Sequence, residues 1–392
     1  MPENPVPVRR LAWALGVNQL LSWATSFYVP AVIAGAAAAE MGVSTALLMG
    51  GFSCALLITG LCAPHVGRWI GQHGGRFSLA ASTVVLGLGL LLLAWAQGVG
   101  GWYLGWAVLG IGMALGLYDA AFATAGTLLG VGVAPAITGI SLLGGFASTL
   151  GWPAGMALLG LLDWRGVLVV YALVQLAVNL PLVLWAVPQA PPQPPAPAAA
   201  TTGPTAAHRL RAVMLACMGS FFTLRWFITS AMAAHVLPLM AGLGLSPGQA
   251  LAAAMLIGPG QVAGRLLEWQ LAPRIGTLWR ARLGALLFPA GALLLLSGSP
   301  FAAFGFALLY GMSNGILTIN RGTLPMLVFG PNGYAALLGW IALPVLLAQA
   351  AAPAVAAPFI AALPATGLLV GSGCVAGLAA FLLLPLRARV TG

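Results

Sequence analysis

The chain has 392 residues, 61% of them hydrophobic and 5% charged, with fifteen arginines, no lysine, five acids and a net charge of +10. Soluble domains carry about 25% charged residues, so a water-exposed globular enzyme is excluded. Most of the arginines sit in short loops rather than on a basic face, which excludes a nucleic-acid binder, and without lysine there is no Gly-x-x-x-x-Gly-Lys phosphate loop to power a nucleotide motor.

A bilayer core of about 30 Å is crossed by about 20 apolar residues. Segments of that kind fall at 11–36, 45–66, 77–97, 102–125, 137–160, 167–187, 210–240, 248–268, 283–299, 301–322, 334–357 and 366–386, predicting an all-α integral membrane chain of twelve helices. Arg9 and Arg10 precede the first run. That run is too long for the apolar core of a cleaved signal peptide, so it is expected to stay as helix 1. With the N-terminus inside, Arg9, Arg10, Arg68, Arg76, Arg209, Arg211, Arg274, Arg280, Arg282, Arg387 and Arg389 all lie on the inner side, leaving Glu40, Asp163 and Arg165 outside. This bias predicts cytoplasmic termini and a multi-pass protein of the inner (plasma) membrane. Cys54, Cys62, Cys217 and Cys374 fall within spans without metal-ligand clustering, so they read as buried small hydrophobes, and neither metal nor cofactor is expected.

Residues 188–208 hold Pro188, Pro191, Pro192, Pro194, Pro195, Pro197 and Pro204 among Ala, Gln and Thr. Such a stretch favours extended polyproline geometry and builds no core, so it is predicted as a cytoplasmic linker. It separates a six-helix bundle at 1–187 from another at 209–392. The halves echo each other: Tyr28-Val29 aligns with His235-Val236, and each half opens on an arginine pair.

The segment Gly67-Arg68-Trp69-Ile70-Gly71-Gln72-His73-Gly74-Gly75-Arg76 follows helix 2, and Trp269-Gln270-Leu271-Ala272-Pro273-Arg274-Ile275-Gly276 stands at the corresponding place after helix 8. The first resembles the signature loop Gly-x-x-x-Asp-Arg-x-Gly-Arg-Arg of the major facilitator superfamily, and parallel six-helix repeats are how that superfamily is built. Trp164-Arg165-Gly166, opening helix 6, is another feature shared with it. The resemblance implies the pseudo-symmetric facilitator fold and a gating role for Gly67, Gly74 and Arg76. Gly71 and Gln72 replace the loop's Asp and the following Arg, so the gate is expected to latch differently. Gly264-Arg265 resembles the helix-8 arginine of monocarboxylate and oxalate–formate porters, which implies a hold on a substrate carboxylate; Gln261 stands where monocarboxylate porters often have Asp. Gly151-Trp152-Pro153-Ala154-Gly155 resembles the antiporter motif of helix 5 without its Gly-Pro step, and small residues for helix packing also explain it.

Charges inside spans cost roughly 2.5–3.5 kcal/mol on insertion scales and stay where they face a partner or a wet cavity. Asp119, late in helix 4, is the candidate proton-coupling acid; a gating salt bridge to Arg225, Arg265 or Arg321 is the alternative. Arg225 lies near the middle of helix 7, where snorkelling to the surface fails, and its guanidinium suits bidentate carboxylate or phosphate recognition. Arg321 reads either as a cavity residue or as a cation at the C-terminal end of helix 10. Arg265 reads as a substrate contact or as an i,i+3 partner of Glu268. Gln19 and Trp23 share one face of helix 1 beside Asn18; Asn314 and Thr318 form a similar pair in helix 10, and with Gln261 these polar groups either touch substrate or join helices. His235 is a secondary titratable candidate, read mainly as interfacial.

Together these residues point to secondary transport, proton-coupled, of a small organic anion such as a monocarboxylate, by a monomer surrounded by lipid. The alternative is a proton-coupled exporter of lipophilic drugs, suggested by Trp23, Phe221, Phe222, Trp226 and Phe227, although Arg225 would repel a cation. A scaffold or receptor on the same fold would show no solute flux.

Overall fold

The computed structural model describes residues 7–190, 206–297 and 299–388, and all regular structure within them is helical. Residues 191–205, most of the predicted linker, and Arg389 lie outside the described residues. The helices group into two units, one comprising Met1–Ala196 with Pro331–Leu343 and the other Pro197–Gly330 with Pro344–Gly392.

Unit 1 contains α1 (Val8–Ala24), α2 (Pro30–Met41), α3 (Thr45–His73), α4 (Arg76–Ala94), α5 (Val99–Gly116), α6 (Tyr118–Leu129), α7 (Ala134–Gly144), α8 (Ala147–Leu161), α9 (Trp164–Leu173) and α10 (Leu180–Ala186). Unit 2 contains α11 (Ala206–Gly242), α12 (Pro247–Met255), α13 (Ile257–Leu271), α14 (Thr277–Leu295), α15 (Pro300–Phe329), α17 (Ala365–Phe381) and the later part of α16 (Tyr334–Ala362). The first ten residues of α16 pack in unit 1.

Among the described residues nine stretches are long and apolar enough to cross a membrane, the longest being Val99–Leu161, which holds the predicted fourth and fifth spans. Helices α1 with α2 occupy the predicted first span and α17 the twelfth. Several expected helices are interrupted, each for a local reason. Pro30 has no N–H to bond to Ser26, so the chain turns through Thr25–Val29, where the Thr25 and Ser26 hydroxyls close onto the Leu21 and Ser22 carbonyls at 2.8 and 2.5 Å. Leu117 is extended between α5 and α6, and Gly130 ends α6 at φ 54°. Between α9 and α10, Val174–Asn179 winds as a π-helix. Pro181 follows it, and the widened turn accommodates the missing N–H and the bulk of its ring. Leu256 separates α12 from α13, where Pro259 cannot bond back to Met255.

In unit 1, Trp102 and Trp106 are fully buried, and the Trp102 indole donates to the Leu48 carbonyl at 2.8 Å. In unit 2, Phe288, Phe306, Tyr310, Met240 and Leu295 form part of one apolar core. Gly264 and Gly315 let α13 and α15 approach backbone to backbone: a Cβ at Gly264 would strike the Met312 carbonyl, and one at Gly315 the Gln261 carbonyl. Small residues of this kind replace the hydrophobic drive that lipid does not supply. Cys54, Cys62 and Cys217 are half-buried, while Cys374, expected to be buried, is exposed on α17.

Candidate functional site

Arg225 is the strongest chemical feature of unit 2. Its side chain is 1% exposed and rises from the middle of α11. The guanidinium donates to Thr229 Oγ1 at 3.1 Å, Ser313 Oγ at 3.1 Å and Asn314 Oδ1 at 3.0 Å. The Phe288 and Tyr310 rings face it at 4.9 and 5.7 Å. Each acceptor is itself held: Ser313 donates to the Gly284 carbonyl at 2.6 Å, Tyr310 donates to the Thr229 carbonyl at 3.1 Å, and Thr229 lies 3.1 Å from Asn314 Oδ1. Dipoles and ring faces stabilise the cation, yet none carries a negative charge, and Arg225 Nε has no hydrogen-bond partner among the described residues. The site keeps its full positive charge in a low-dielectric interior, where attraction for an anion is strongest.

The other arginines divide differently from expectation. Glu268, 1% exposed, pairs with Arg280 of α14 at 3.0 Å, so the i,i+3 partnership with Arg265 does not form. The Arg280 N–H does not point at the carboxylate; the contact is ionic, while Arg280 also donates to the Ile275 carbonyl at 3.0 Å and Thr277 Oγ1 at 3.1 Å. Arg265 is left 5% exposed, with its Nε buried and bonded to no described residue. Gln261, one turn earlier, is half-buried. Arg321 lies over the Trp226 ring at 5.5 Å. Because α15 continues to Phe329, Arg321 is two turns from the helix end, which overturns its reading as a C-terminal cation. Thr318 turns back to the Asn314 carbonyl at 2.7 Å, and His235 Nε2 lies 3.1 Å from the Pro353 carbonyl.

In unit 1, Gln19 is completely buried and its amide is spent on protein partners. It donates to Asn18 Oδ1 at 2.9 Å and to the Gly116 carbonyl at 2.7 Å, and accepts from the Trp23 indole at 3.1 Å. Both ends of the Gln19 amide are thus engaged by protein partners, one of which is the Trp23 indole. Trp23 is half-buried, its ring tilted against Phe27 at 4.7 Å and Tyr118 at 5.0 Å. Asp119 stands in the first turn of α6, where the helix dipole favours negative charge. It borders a small pocket with Ala63, Val66, Gly67 and Ile70 of α3 and Ala335 and Gly339 of α16.

Of the predicted gating residues, Gly67 lines that pocket. A Cβ at Gly67 would collide with the Ala335 carbonyl, so only glycine permits this crossing. Gly74 ends α3 at φ 78°, ψ 164°, a conformation essentially confined to glycine. Arg76 begins α4 and donates to the Leu184 carbonyl.

Sequence reasoning missed Gln175 and Asn179, which join Asn18, Ser22 and Thr25 in one buried network. Two amides four residues apart in an apolar span, just before Pro181, were the available signal. It also missed Thr229, Ser313 and Tyr310 around Arg225; as common helix residues they carry no pattern of their own.

Solved structures with the same fold include the human organic anion transporter MFSD10 (TETRAN), at TM-score 0.73 and 18% identity over 96% of this chain and 99% of that one. The proton:xylose symporter XylE bound to 6-bromo-6-deoxy-D-glucose aligns at TM-score 0.68 and 15% identity over 95% and 94%. FucP, in the outward conformation, aligns at TM-score 0.69 and 11% identity over 96% and 99%. No curated protein sequence matches the chain. Residues 13–353 match the model of the Major Facilitator Superfamily, so this chain belongs to that superfamily of multi-pass membrane transporters and is not an enzyme.

Proposed function

We propose that this transporter carries a small organic anion, of the monocarboxylate type, with proton coupling. The observation behind the reading is Arg225: a guanidinium sealed among neutral acceptors and ring faces, with no carboxylate in contact among the described residues. Arg265, buried with its Nε unbonded and its neighbouring acid Glu268 taken by Arg280, adds a second cation in the same unit. A cationic drug would be repelled by both, which disfavours the drug-export alternative. The solved relatives described as an organic anion transporter and a proton:xylose symporter are compatible with each half of this reading. Asp119 is the coupling acid in this scheme, and the protein works by alternating access as a monomer in the inner (plasma) membrane with both termini cytoplasmic. The halves 1–187 and 209–392 act as its moving bodies.

The test is carboxylate uptake into proteoliposomes under a pH gradient. Arg225→Lys keeps the charge and loses the planar fork, so affinity should fall by about 1–3 kcal/mol, as for loss of a charge-assisted hydrogen bond. Asp119→Asn should abolish gradient-driven accumulation while leaving solute exchange. Wild-type affinity in a folded Arg225→Ala protein would remove the anion reading; retained accumulation in Asp119→Asn would remove Asp119 as the coupling group.

A further inference from the structure

Along its first half, helix α1 is buried on every side but one. Leu11, Ala12, Ala14, Leu15 and Asn18 are sealed inside unit 1, whereas Arg9, Arg10 and Trp13 are exposed and Val17 and Leu20 are half-buried. From Arg10 onward these open positions recur every three or four residues, so they form a single stripe along the helix. Beside it α10 packs against α1 and presents Trp185 from its last turn. Trp185 is 78% exposed and Trp13 63%. An apolar stripe on the outside of a membrane helix is ordinary. Two arginines and two tryptophans at one end of it are not, because tryptophan concentrates where the hydrocarbon core meets the headgroups.

Arginines ahead of a first helix need do nothing beyond orienting it. The contacts of this pair set it apart from several other arginines of the chain. Arg68 donates to the Pro64 carbonyl at 3.3 Å, Arg76 to that of Leu184, and Arg282 to those of Leu383 and Leu384 at 3.1 and 3.3 Å. Arg280 is paired with Glu268. Those guanidiniums are spent on the protein's own groups. Arg10 instead lies over the face of the Trp185 ring, 5.2 Å from its centre. Among the described residues neither Arg9 nor Arg10 bonds a carbonyl or meets a carboxylate. Of the five acids Glu3 alone falls near them in sequence, and it lies outside the described residues. Stacking on a ring uses the flat face of a guanidinium and leaves its N–H edge open. That edge matches two oxygens of a phosphate.

We infer that the α1–α10 edge binds an anionic phospholipid. Arg9 and Arg10 take the headgroup phosphate, Trp185 fixes the fork of Arg10, and Trp13, Val17 and Leu20 lie along an acyl chain. Charge complementarity selects this occupant: two guanidiniums with no acid beside them among the described residues favour a lipid of net negative charge and repel the ammonium of a zwitterionic one. A free phosphate would use the arginines alone, while a phospholipid also uses the indoles and the apolar stripe that continues from them. The inference is independent of the solute carried at Arg225.

The experiment titrates the delipidated full chain, in detergent micelles, with phosphatidylglycerol or with phosphatidylcholine of the same acyl chains, and reads bound lipid by native mass spectrometry. Wild type should bind phosphatidylglycerol more tightly, and equal binding overturns the inference. Each arginine near a membrane surface changes anionic-lipid affinity by about 5-fold. Arg10→Gln should therefore weaken phosphatidylglycerol by about 5-fold, and Arg9→Gln with Arg10→Gln by about 25-fold, with phosphatidylcholine unchanged. Arg387→Gln removes the same charge from an exposed position elsewhere and should bind as wild type does. A loss there equal to that of Arg10→Gln would make the preference one of net charge and overturn the site. Trp185→Leu keeps every charge and should weaken phosphatidylglycerol by about 2- to 5-fold; wild-type affinity overturns the role of the ring. If the double arginine variant does not fold, Trp185→Leu carries the test. Excess inorganic phosphate should leave the lipid bound, and its displacement would make the patch a soluble-anion site and overturn the lipid assignment.

Discussion

Asn314→Asp tests the charge logic of the Arg225 site with a change of one atom type. Asn314 Oδ1 already lies 3.0 Å from the Arg225 guanidinium and 3.1 Å from the Thr229 hydroxyl, so a carboxylate fits the same place without rebuilding α15. It would give the cation an internal counter-charge. A solute anion must then displace a charge-assisted hydrogen bond worth about 1.5–3 kcal/mol, which weakens binding by about 10- to 150-fold. Removing the acceptor with Asn314→Leu should do the opposite to the anion: the guanidinium keeps its charge and loses a competitor, so affinity holds or rises. The assay is the shift in melting temperature with added carboxylate, since ligand stabilises by mass action. The Asp protein should melt no lower than wild type without ligand, because the buried cation has gained a partner, and should lose the ligand-induced shift. A wild-type shift in Asn314→Asp would mean that anions do not bind at Arg225, and the central argument would fail.

Three further outcomes follow from other ion pairs and from topology. Glu268→Gln leaves Arg280 buried without its counter-charge and should destabilise by about 3–5 kcal/mol, seen as a lower melting temperature; a double variant with Arg280→Met should recover much of the loss. Glu40, at the C-terminal end of α2, is held below its ordinary value of 4.5 by its bond to Arg165 and then by the Trp164 indole. Its folded value is the lower one, so its contribution is present above the unfolded value and is lost as pH falls through the folded one; thermal melts across that acid range should show a step that Glu40→Gln abolishes. Reporters fused after Gly392 and within 188–208 should both read cytoplasmic, and an outside signal at either would break the arginine-based orientation.

The architecture was legible because lipid imposes a simple rule: backbone polar groups must be satisfied within the helix, so runs of apolar residues announce themselves. What the apolar count does not register is where a helix breaks inside its span. Pro30 and Pro259 were visible, but proline also sits within intact helices here, as Pro64 in α3 and Pro289 in α14 show. Whether a proline interrupts depends on how the carbonyl it frees is satisfied: at Pro30 that carbonyl, on Ser26, accepts from the Val29 N–H at 3.3 Å within the turn. That decision belongs to tertiary context. The length of α15 was missed for a related reason: Arg321 and Pro325 look like a helix end, yet the helix runs through both to Phe329.

At the candidate site, charge identity could be read and pairing could not. Spacing made Glu268 a natural partner for Arg265, because residues three apart share a helix face. The structure gives Glu268 to Arg280 instead, twelve residues on and across a tight turn, and so leaves Arg265 without that acid. The same limit applied to Gln19 and Trp23: helical spacing placed both on one inward face, but a shared face does not say which group is exposed to solute. Gln19 is consumed by the backbone carbonyl of Gly116 and by Asn18, leaving the indole that it orients half-open. Polar side chains in a membrane helix thus sort into those that complete the protein's own hydrogen bonds and those left with unfilled capacity. Arg225, held by three neutral acceptors with its Nε unbonded and still carrying its charge, belongs to the second group, and that imbalance gives an anion reason to bind.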